Sequence, residues 1–392
     1  MQATGIVAEY NPFHNGHLYH LQATKKITGQ PVIVVMSGSL MQRGEPAFGN
    51  KWLRAQLAIN QGVDLVVELP TAFSLRSAEF FARGAVQLLQ AAGCVNTLSC
   101  GVEHPQTDFL KLAEISFSIP FCQHLQQLIK QGLPYAAAQE QALQEFSGQK
   151  GLRSPNDILA LEYSKALLDT DITPIYLKRE ASEYNDTKIQ GRLASATAIR
   201  KAHGEGQLSN LAMAVPIEVY HSLTQKSWGY NQSLLWQLLS YRLRLLSAQE
   251  IAQSCQCSEG LENLLQTAAD CSSLQEALEK CTSKRYPGSR IRRLLLQLLL
   301  QRPVASFAQQ HPAYLRVLGF NNQGRQLLKE MKNTATLPVI TKLGKNPTAG
   351  QPQSLQQQLD LDLAASNLLA LLQTPPQRNN LDFYTSPYYP KK

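Results

Sequence analysis

Apolar residues in the first hundred positions fall into short unbroken runs. "TGIVAE" at 4–9, "PVIVVM" at 31–36, "VDLVVEL" at 63–69 and "VNTLSCG" at 95–101 each read as a strand. Between them lie segments of helical period: Gly16 to Thr28, "NKWLRAQLAIN" at 50–60 and "SAEFFARGAVQLLQAAG" ending at Gly93. A strand that is apolar at consecutive positions is covered on both faces. Strand and helix alternating at this spacing predict a parallel, doubly wound sheet.

Residues 105–170 read as helical, and "SPNDILALEYSKALL" opens well, with Ser154 able to cap, Pro155 suited to the first turn and Asp157 at the positive end of the helix. "ITPIYLKR" reads as a further strand and "SATAIRKA" as a helix behind a loop. Beyond Gly204 and Gly206 the period is helical, most clearly in "NQSLLWQLLSYRLRLLS" and "SRIRRLLLQLLLQ", with few strand signals. "GQPQSLQQQ" reads as a loop, and the tail "FYTSPYYPKK" has too many prolines for regular structure. The expected fold class is α/β: a Rossmann-like domain over 1–205, then a mainly α-helical basic domain over 206–392.

With 392 residues the chain exceeds one ordinary core. No stretch approaches the roughly 18 to 20 uninterrupted apolar residues of a membrane span, so no membrane is expected as partner. The start, "MQATGIVAEY", lacks the basic region of a secretory signal. Seven cysteines, none in a C-x-x-C pair, read as reduced thiols of a cytoplasmic protein, with no metal site. Net charge is +8, and its placement is uneven. Residues 1–200 hold 17 basic against 17 acidic side chains, and residues 201–392 hold 20 against 12. Between Lys280 and Lys332, 11 basic residues face one acid, Glu330. That density fits either a polyanion partner or a solvated helix face. In "SKRYPGSRIRR", Lys284, Arg285, Arg290, Arg292 and Arg293 surround Tyr286, a mix suited to gripping phosphates and stacking on a base.

The chemistry concentrates in "GIVAEYNPFHNGHLYH", where a strand runs through "NPFHNGH" into a helix. Ligands of doubly wound sheets bind outside the carboxyl ends of strands. A helix N-terminus there offers free N–H groups and partial positive charge to phosphate, and Gly16 permits close backbone approach. His14 and His17 can each donate to phosphate oxygens and stabilise charge as pyrophosphate leaves a nucleoside triphosphate. A metal site is the weaker alternative, since no Glu stands between them as in H-E-x-x-H and no third ligand is evident; no Walker A loop or G-x-G-x-x-G is present. A pair of core histidines fits a strand-to-helix turn poorly.

"NPFHNGH" resembles the H-x-G-H signature of the HIGH-type nucleotidylyltransferases. "ASATAIR", Ala194 to Arg200, stands where that family has I-S-S-T-x-I-R, matching at Ser195, Thr197, Ile199 and Arg200. More narrowly, "SGSLMQRGEPA", "NKWLRA", "GVDLVVELP", "SAEFFARGAV", "SPNDILALEY" and "LGFNNQGRQLLKEM" are similar, in order, to the bacterial tRNA(Met) cytidine acetate ligases. One departure is Ser39, where that family usually has Asn in S-G-N-F-V-Q-R-G. The resemblance implies that ATP and acetate form an acetyladenylate, and that the wobble cytidine of elongator tRNA(Met) takes the acetyl group as N4-acetylcytidine. It implies ATP contacts from Val7, Ala8, Glu9, Tyr10, Asn11, Pro12, Phe13, His14, Asn15, Gly16, His17, Leu18, Tyr19 and His20, and from Gly101, Asn156 and Arg179. It implies that Ser195, Thr197 and Arg200 support the β- and γ-phosphates. Mg²⁺ is expected with ATP. Two other readings explain part of the chain. A small-molecule nucleotidylyltransferase accounts for the histidines but not the basic second half. A non-catalytic RNA-binding protein accounts for the second half but not the phosphate motifs.

Overall fold

The computed structural model describes residues 1–148, 152, 154–179, 189, 191–255, 257, 260–300, 304–307, 310–345 and 347–390. The first half forms as its pattern predicts: β1 (Ala3–Ala8), α1 (Asn15–Thr28), β2 (Val32–Ser37), α2 (Lys51–Asn60), β3 (Leu65–Leu69), α3 (Ala78–Ala91) and β4 (Val95–Val102). Three helices then fill Phe109–Phe117, Ile119–Lys130 and Tyr135–Ser147, followed by α4 (Pro155–Leu167), β5 (Thr173–Lys178) and α5 (Ala196–Gly204). At the start of α4, Pro155 and Asp157 sit in the first turn as expected, but the Ser154 side chain makes no capping bond; the Asp157 carboxylate instead turns to the loop after β4, as described below.

The sheet has seven strands in the order β5-β4-β1-β2-β3-β6-β7, where β6 is Leu315–Phe320 and β7 is Val339–Ile340. The first five are parallel, and β6 pairs antiparallel with β3. Side chains of β2 alternate between two cores: Ile33 and Val35 pack with Phe81, Val86 and Leu89 of α3, whereas Val34 and Met36 pack with Leu21 of α1 and Leu57 of α2. Burial on both faces is why the strands read as unbroken apolar runs.

The second half is mainly helical, yet it returns to the sheet. Helix α6 (Gly288–Leu300) belongs to the helical part, but β6 and β7 continue the sheet across the 205/206 boundary, separated by α7 (Asn322–Thr334). "LRVLGF" carries an arginine in a six-residue run, which hid the strand. "GQPQSLQQQ" also departs from its loop reading, because α8 (Gln353–Leu372) starts at Gln353 directly after Pro352. In the tail, α9 (Leu381–Tyr384) is one helical turn and Tyr388 bridges to Gly319. Arg302 of the basic segment lies outside the described residues.

A buried ionic cluster fastens these C-terminal pieces beneath the sheet's carboxyl end. Lys51 Nζ is 2.8 Å from Glu68 Oε1 and 2.7 Å from Asp382 Oδ1, with every side chain 3 % exposed or less. Asp362 of α8 accepts from the Thr71 N–H at 2.6 Å and from the Tyr314 hydroxyl. Burial alone would discharge Lys51, but Asp382 and Glu68 outweigh it and hold its pKa above the usual ammonium value.

Candidate active site

The chain leaves β3 and returns beside β1 as β4, so consecutive crossovers diverge between β1 and β4. At such a switch point the loops part and open a crevice. A shallow cleft, open to solvent, lies there, lined by Gly16, His17, Tyr19, His20, Gly101, Leu177, Lys178 and Arg179.

The turn after β1 is fixed on several sides. Tyr10 adopts a left-handed backbone (φ 46°). The Asn11 side chain accepts from the Phe48 N–H at 2.7 Å, and Asn15 Nδ2 donates to the carbonyls of Arg192 at 3.0 Å and Met213 at 2.7 Å. Tyr10, Pro12 and Phe13 are buried. The Tyr10 and Phe13 rings lie 4.9 and 5.6 Å from the His17 ring, so they back the imidazole rather than face the cleft. Arg54, fully buried, donates to the carbonyls of Glu9 at 2.7 Å, Ser37 at 3.0 Å, Gly49 at 2.9 Å, and to Gly38. It ties the ends of β1 and β2 to one loop, a role its surroundings in sequence give no hint of.

His14 is the N-cap of α1, and its Nδ1 accepts the Gly16 N–H at 3.1 Å. His17 reciprocates, its Nδ1 accepting the His14 N–H at 3.2 Å. This is a capping box built from two imidazoles, which stack at 3.6 Å between centroids. A ring whose Nδ1 accepts carries its proton on Nε2 when neutral. Burial, then Arg179 and Arg200, pulls His14 down to about 3; burial, then His14 and Arg179, holds His17 well below its ordinary value. Both are therefore neutral at physiological pH, each with one Nε2–H left to donate. His20, pulled down to about 4 by burial and Arg179, meets the Ser99 hydroxyl at 3.0 Å.

Across the cleft, the distant residues expected from resemblance converge. Asn156 Nδ2 donates to Glu103 Oε1 at 2.5 Å, and the same oxygen lies 3.8 Å from Arg179 Nε. Gly101 leaves room for the Arg179 side chain: a Cβ there would stand 3.2 Å from its Cγ. Asp157, 1 % exposed, holds the turn by accepting from Glu103 N at 2.9 Å and lying 2.6 Å from His104 Nδ1. Glu103, which links the pair, carries no motif signal.

The second motif meets the histidine turn. Ser195 caps α5 by accepting from Ala198 N at 3.0 Å. Arg200 NH1 donates to the Asn11 carbonyl at 2.9 Å, and its NH2 reaches Thr197 Oγ1 and Glu45 Oε2, both at 3.4 Å. Val7 and Ala8 form the end of β1, and Glu9 accepts the Gln42 N–H at 2.8 Å; burial raises its carboxyl pKa. Leu18 packs into the core beneath α1. Ser39, the departure from the family motif, is buried and donates to the Ser366 hydroxyl at 3.4 Å.

The basic segment divides. Lys284, Arg285 and Arg290 are exposed. Arg292 NH1 lies 3.2 Å from Glu45 Oε1, and Arg293 NH1 donates to the Gln42 carbonyl at 3.1 Å. Tyr286 is 8 % exposed, with the Arg285 and Arg290 guanidiniums 5.6 and 5.3 Å from its ring centroid. In this structure the ring is buried beside these guanidiniums and is not presented to solvent.

Residues 1–382 match the HIGH Nucleotidyl Transferase family. A tRNA(Met) cytidine acetate ligase of Clostridium perfringens is 38% identical over 408 residues, covering 99% of each chain. The apo crystal structure of Thermotoga maritima TmcAL superposes with a TM-score of 0.94 at 32% identity, and the same protein bound with alpha-thio ATP at 0.90 and 31%, each covering 100% of both chains. The switch-point cleft, the imidazole capping box and full-length kinship agree: the chain belongs to the HIGH nucleotidyl transferase family and, within it, to the tRNA(Met) cytidine acetate ligases.

Proposed function

We propose that the protein activates acetate with ATP and transfers the acetyl group to the wobble cytidine of elongator tRNA(Met). An acetate oxygen attacks the α-phosphorus, the bond to pyrophosphate breaks, and acetyladenylate forms. The exocyclic amine then attacks the acetyl carbonyl, loses a proton and expels AMP, leaving N4-acetylcytidine. The observation that carries this reading is the neutral histidine pair, each ring held by its Nδ1 so that Nε2–H remains for phosphate oxygens.

Preorganised donors aimed at developing charge are the largest common source of catalysis, and these are fixed before substrate arrives. Arg179 and Arg200 add positive charge at the two edges of the turn, Arg200 toward the β- and γ-phosphates together with Ser195 and Thr197. Gly101 admits the adenosine, and Asn156, oriented by Glu103, reads ribose or base. Among the described residues no group of three or more His, Cys, Asp or Glu gathers to hold a metal. Mg²⁺, expected with ATP, would neutralise charge on the triphosphate. The exposed Lys284, Arg285 and Arg290 are the first candidates for tRNA phosphates, with the sheet, β6 and β7 included, carrying activation and the helical part around α6 carrying RNA binding. The reaction belongs in the cytoplasm, where tRNA and ATP meet. No helix among the described residues is long and apolar enough to cross a membrane.

ATP–pyrophosphate exchange with and without acetate tests the reading. Exchange that requires acetate supports it. Exchange independent of acetate would indicate another nucleotidylyl acceptor, and no exchange would indicate a non-catalytic RNA-binding protein.

A further inference from the structure

One carboxylate stands between the two halves of the proposed reaction. Glu45 offers Oε2 to Arg200 at 3.4 Å and Oε1 to Arg292 at 3.2 Å. Arg200 belongs to the phosphate-side motif and also holds the Asn11 carbonyl of the histidine turn. Arg292 lies on α6, beside the exposed basic residues.

The turn carrying Glu45 is fixed from both sides. Gly44 N donates to the Met41 carbonyl at 2.9 Å and Met41 N to the Glu45 carbonyl at 2.8 Å. Gly44 has φ +79°, and a Cβ there would lie 2.5 Å from the Arg293 backbone N, so only glycine lets α6 approach this closely. Gln42 connects the same turn to Glu9 through its N–H and to Arg293 through its carbonyl. The Glu45 carboxylate is about a quarter exposed, leaving it able to shift between two partners without the loop moving.

We infer that Glu45 couples the two half-reactions by sharing its charge between Arg200 and Arg292. This rests on the reading that the basic segment binds tRNA. When triphosphate oxygens occupy Arg200, Glu45 turns wholly to Arg292 and neutralises it against RNA phosphate. When pyrophosphate leaves, Arg200 draws Glu45 back and Arg292 is released for RNA. Triphosphate and tRNA therefore oppose each other, whereas tRNA and an AMP-type ligand do not. The order of events follows: tRNA engages fully once pyrophosphate has gone.

The test is binding of labelled tRNA(Met) in the presence of α,β-methylene ATP and, separately, of AMP. Partly exposed ion pairs are weak, which limits the effect to at most roughly five-fold weaker tRNA binding with the triphosphate analogue than with AMP. By linkage, tRNA weakens the analogue by the same factor. Glu45→Gln leaves the backbone bonds of the turn and one side-chain acceptor oxygen but removes the shared charge, so the ratio between the two nucleotides falls to about one. Arg292→Gln flattens the ratio as well. A wild-type ratio of one, with tRNA still bound, overturns the coupling and leaves the function reading intact. A ratio that persists in Glu45→Gln overturns the role of Glu45. Absence of tRNA binding in the wild type overturns both.

Discussion

At the turn after β1 each imidazole commits its Nδ1 to the backbone, and the proposed function assigns its Nε2–H to phosphate. On and just before α6 the balance differs: Arg292 and Arg293 are committed to the loop at 42–45, while Lys284 and Arg290 are exposed. The first arrangement is local. Four consecutive residues make the capping box, so spacing alone carries the geometry. The second depends on a loop some 250 positions away, and a charge count over the segment overstates what remains for a polyanion. Composition reports how many charges a segment has; only the fold reports which are already answered.

Both regions stand on the buried ionic cluster, so breaking it tests the frame they share. Lys51→Met leaves Glu68, Asp362 and Asp382 facing one another without the ammonium. Removing one partner of a buried pair costs about 3–5 kcal/mol. Urea denaturation followed by circular dichroism should show a destabilisation of that size; one below about 1 kcal/mol, the range of an exposed pair, contradicts the cluster's role.

The histidines offer the next largest effect. Asparagine is a strong N-cap that can replace the accepting Nδ1 of His14, and glutamine at the third helical position can reach back as His17 does, but neither places a donor where Nε2–H stands. His14→Asn and His17→Gln should therefore keep their unfolding midpoints while acetate-dependent pyrophosphate exchange falls on the order of 10²-fold each. Near wild-type exchange in both variants removes them from catalysis. Unfolded protein in both would mean that their role is capping alone.

On the basic side, Gln at Lys284, Arg285 and Arg290 together should weaken tRNA binding and leave exchange intact. Each phosphate of looped RNA that is no longer neutralised lowers the salt slope by about 0.7, so log K against log[salt] flattens by roughly two. Arg293→Gln behaves differently, because Gln42 connects it to Glu9, and it should lower exchange too. Equal effects from both sets would erase the distinction between exposed and committed arginines.

The smallest effect is in pH dependence. The folded-state pKa values of His14 and His20 lie near 3 and 4, below the unfolded value of 6.5. The unfolded chain thus takes up protons that the folded protein excludes as pH falls below 6.5. Their contribution to stability is complete above that pH and declines from about 6.5 toward 4. Thermal midpoints should fall across that window, less steeply in His14→Asn. Exchange should show no inflection near 6.5, since the rings are already neutral there.

Much of this was legible in the sequence. The three strands at 3–8, 32–37 and 65–69 follow from apolar runs, β4 and β5 from weaker ones, and the H-x-G-H turn from a strand ending beside a capped helix. What escaped was long-range. Arg316 in "LRVLGF" masked β6, which pairs antiparallel with β3 and carries β7 on its other side. Glu103 and Glu45 are ordinary surface-type residues until the fold brings Asn156, Arg179, Arg200 and Arg292 to them. Tyr286 resembles a base-stacking residue until its burial is seen. For Glu103 and Glu45 the deciding partners lie too far along the chain for any local pattern to name them; for Tyr286 it is burial, which no local pattern gives.

Nucleoside mass spectrometry after incubating the protein with ATP, isotope-labelled acetate and elongator tRNA(Met) tests the central claim most directly. Labelled N4-acetylcytidine should appear at the wobble position, requiring ATP and acetate together, and a tRNA whose wobble cytidine is replaced by uridine should bind almost as well yet accept no label. Label in the uridine variant, or no acetylcytidine in the native tRNA while exchange proceeds, would contradict the account.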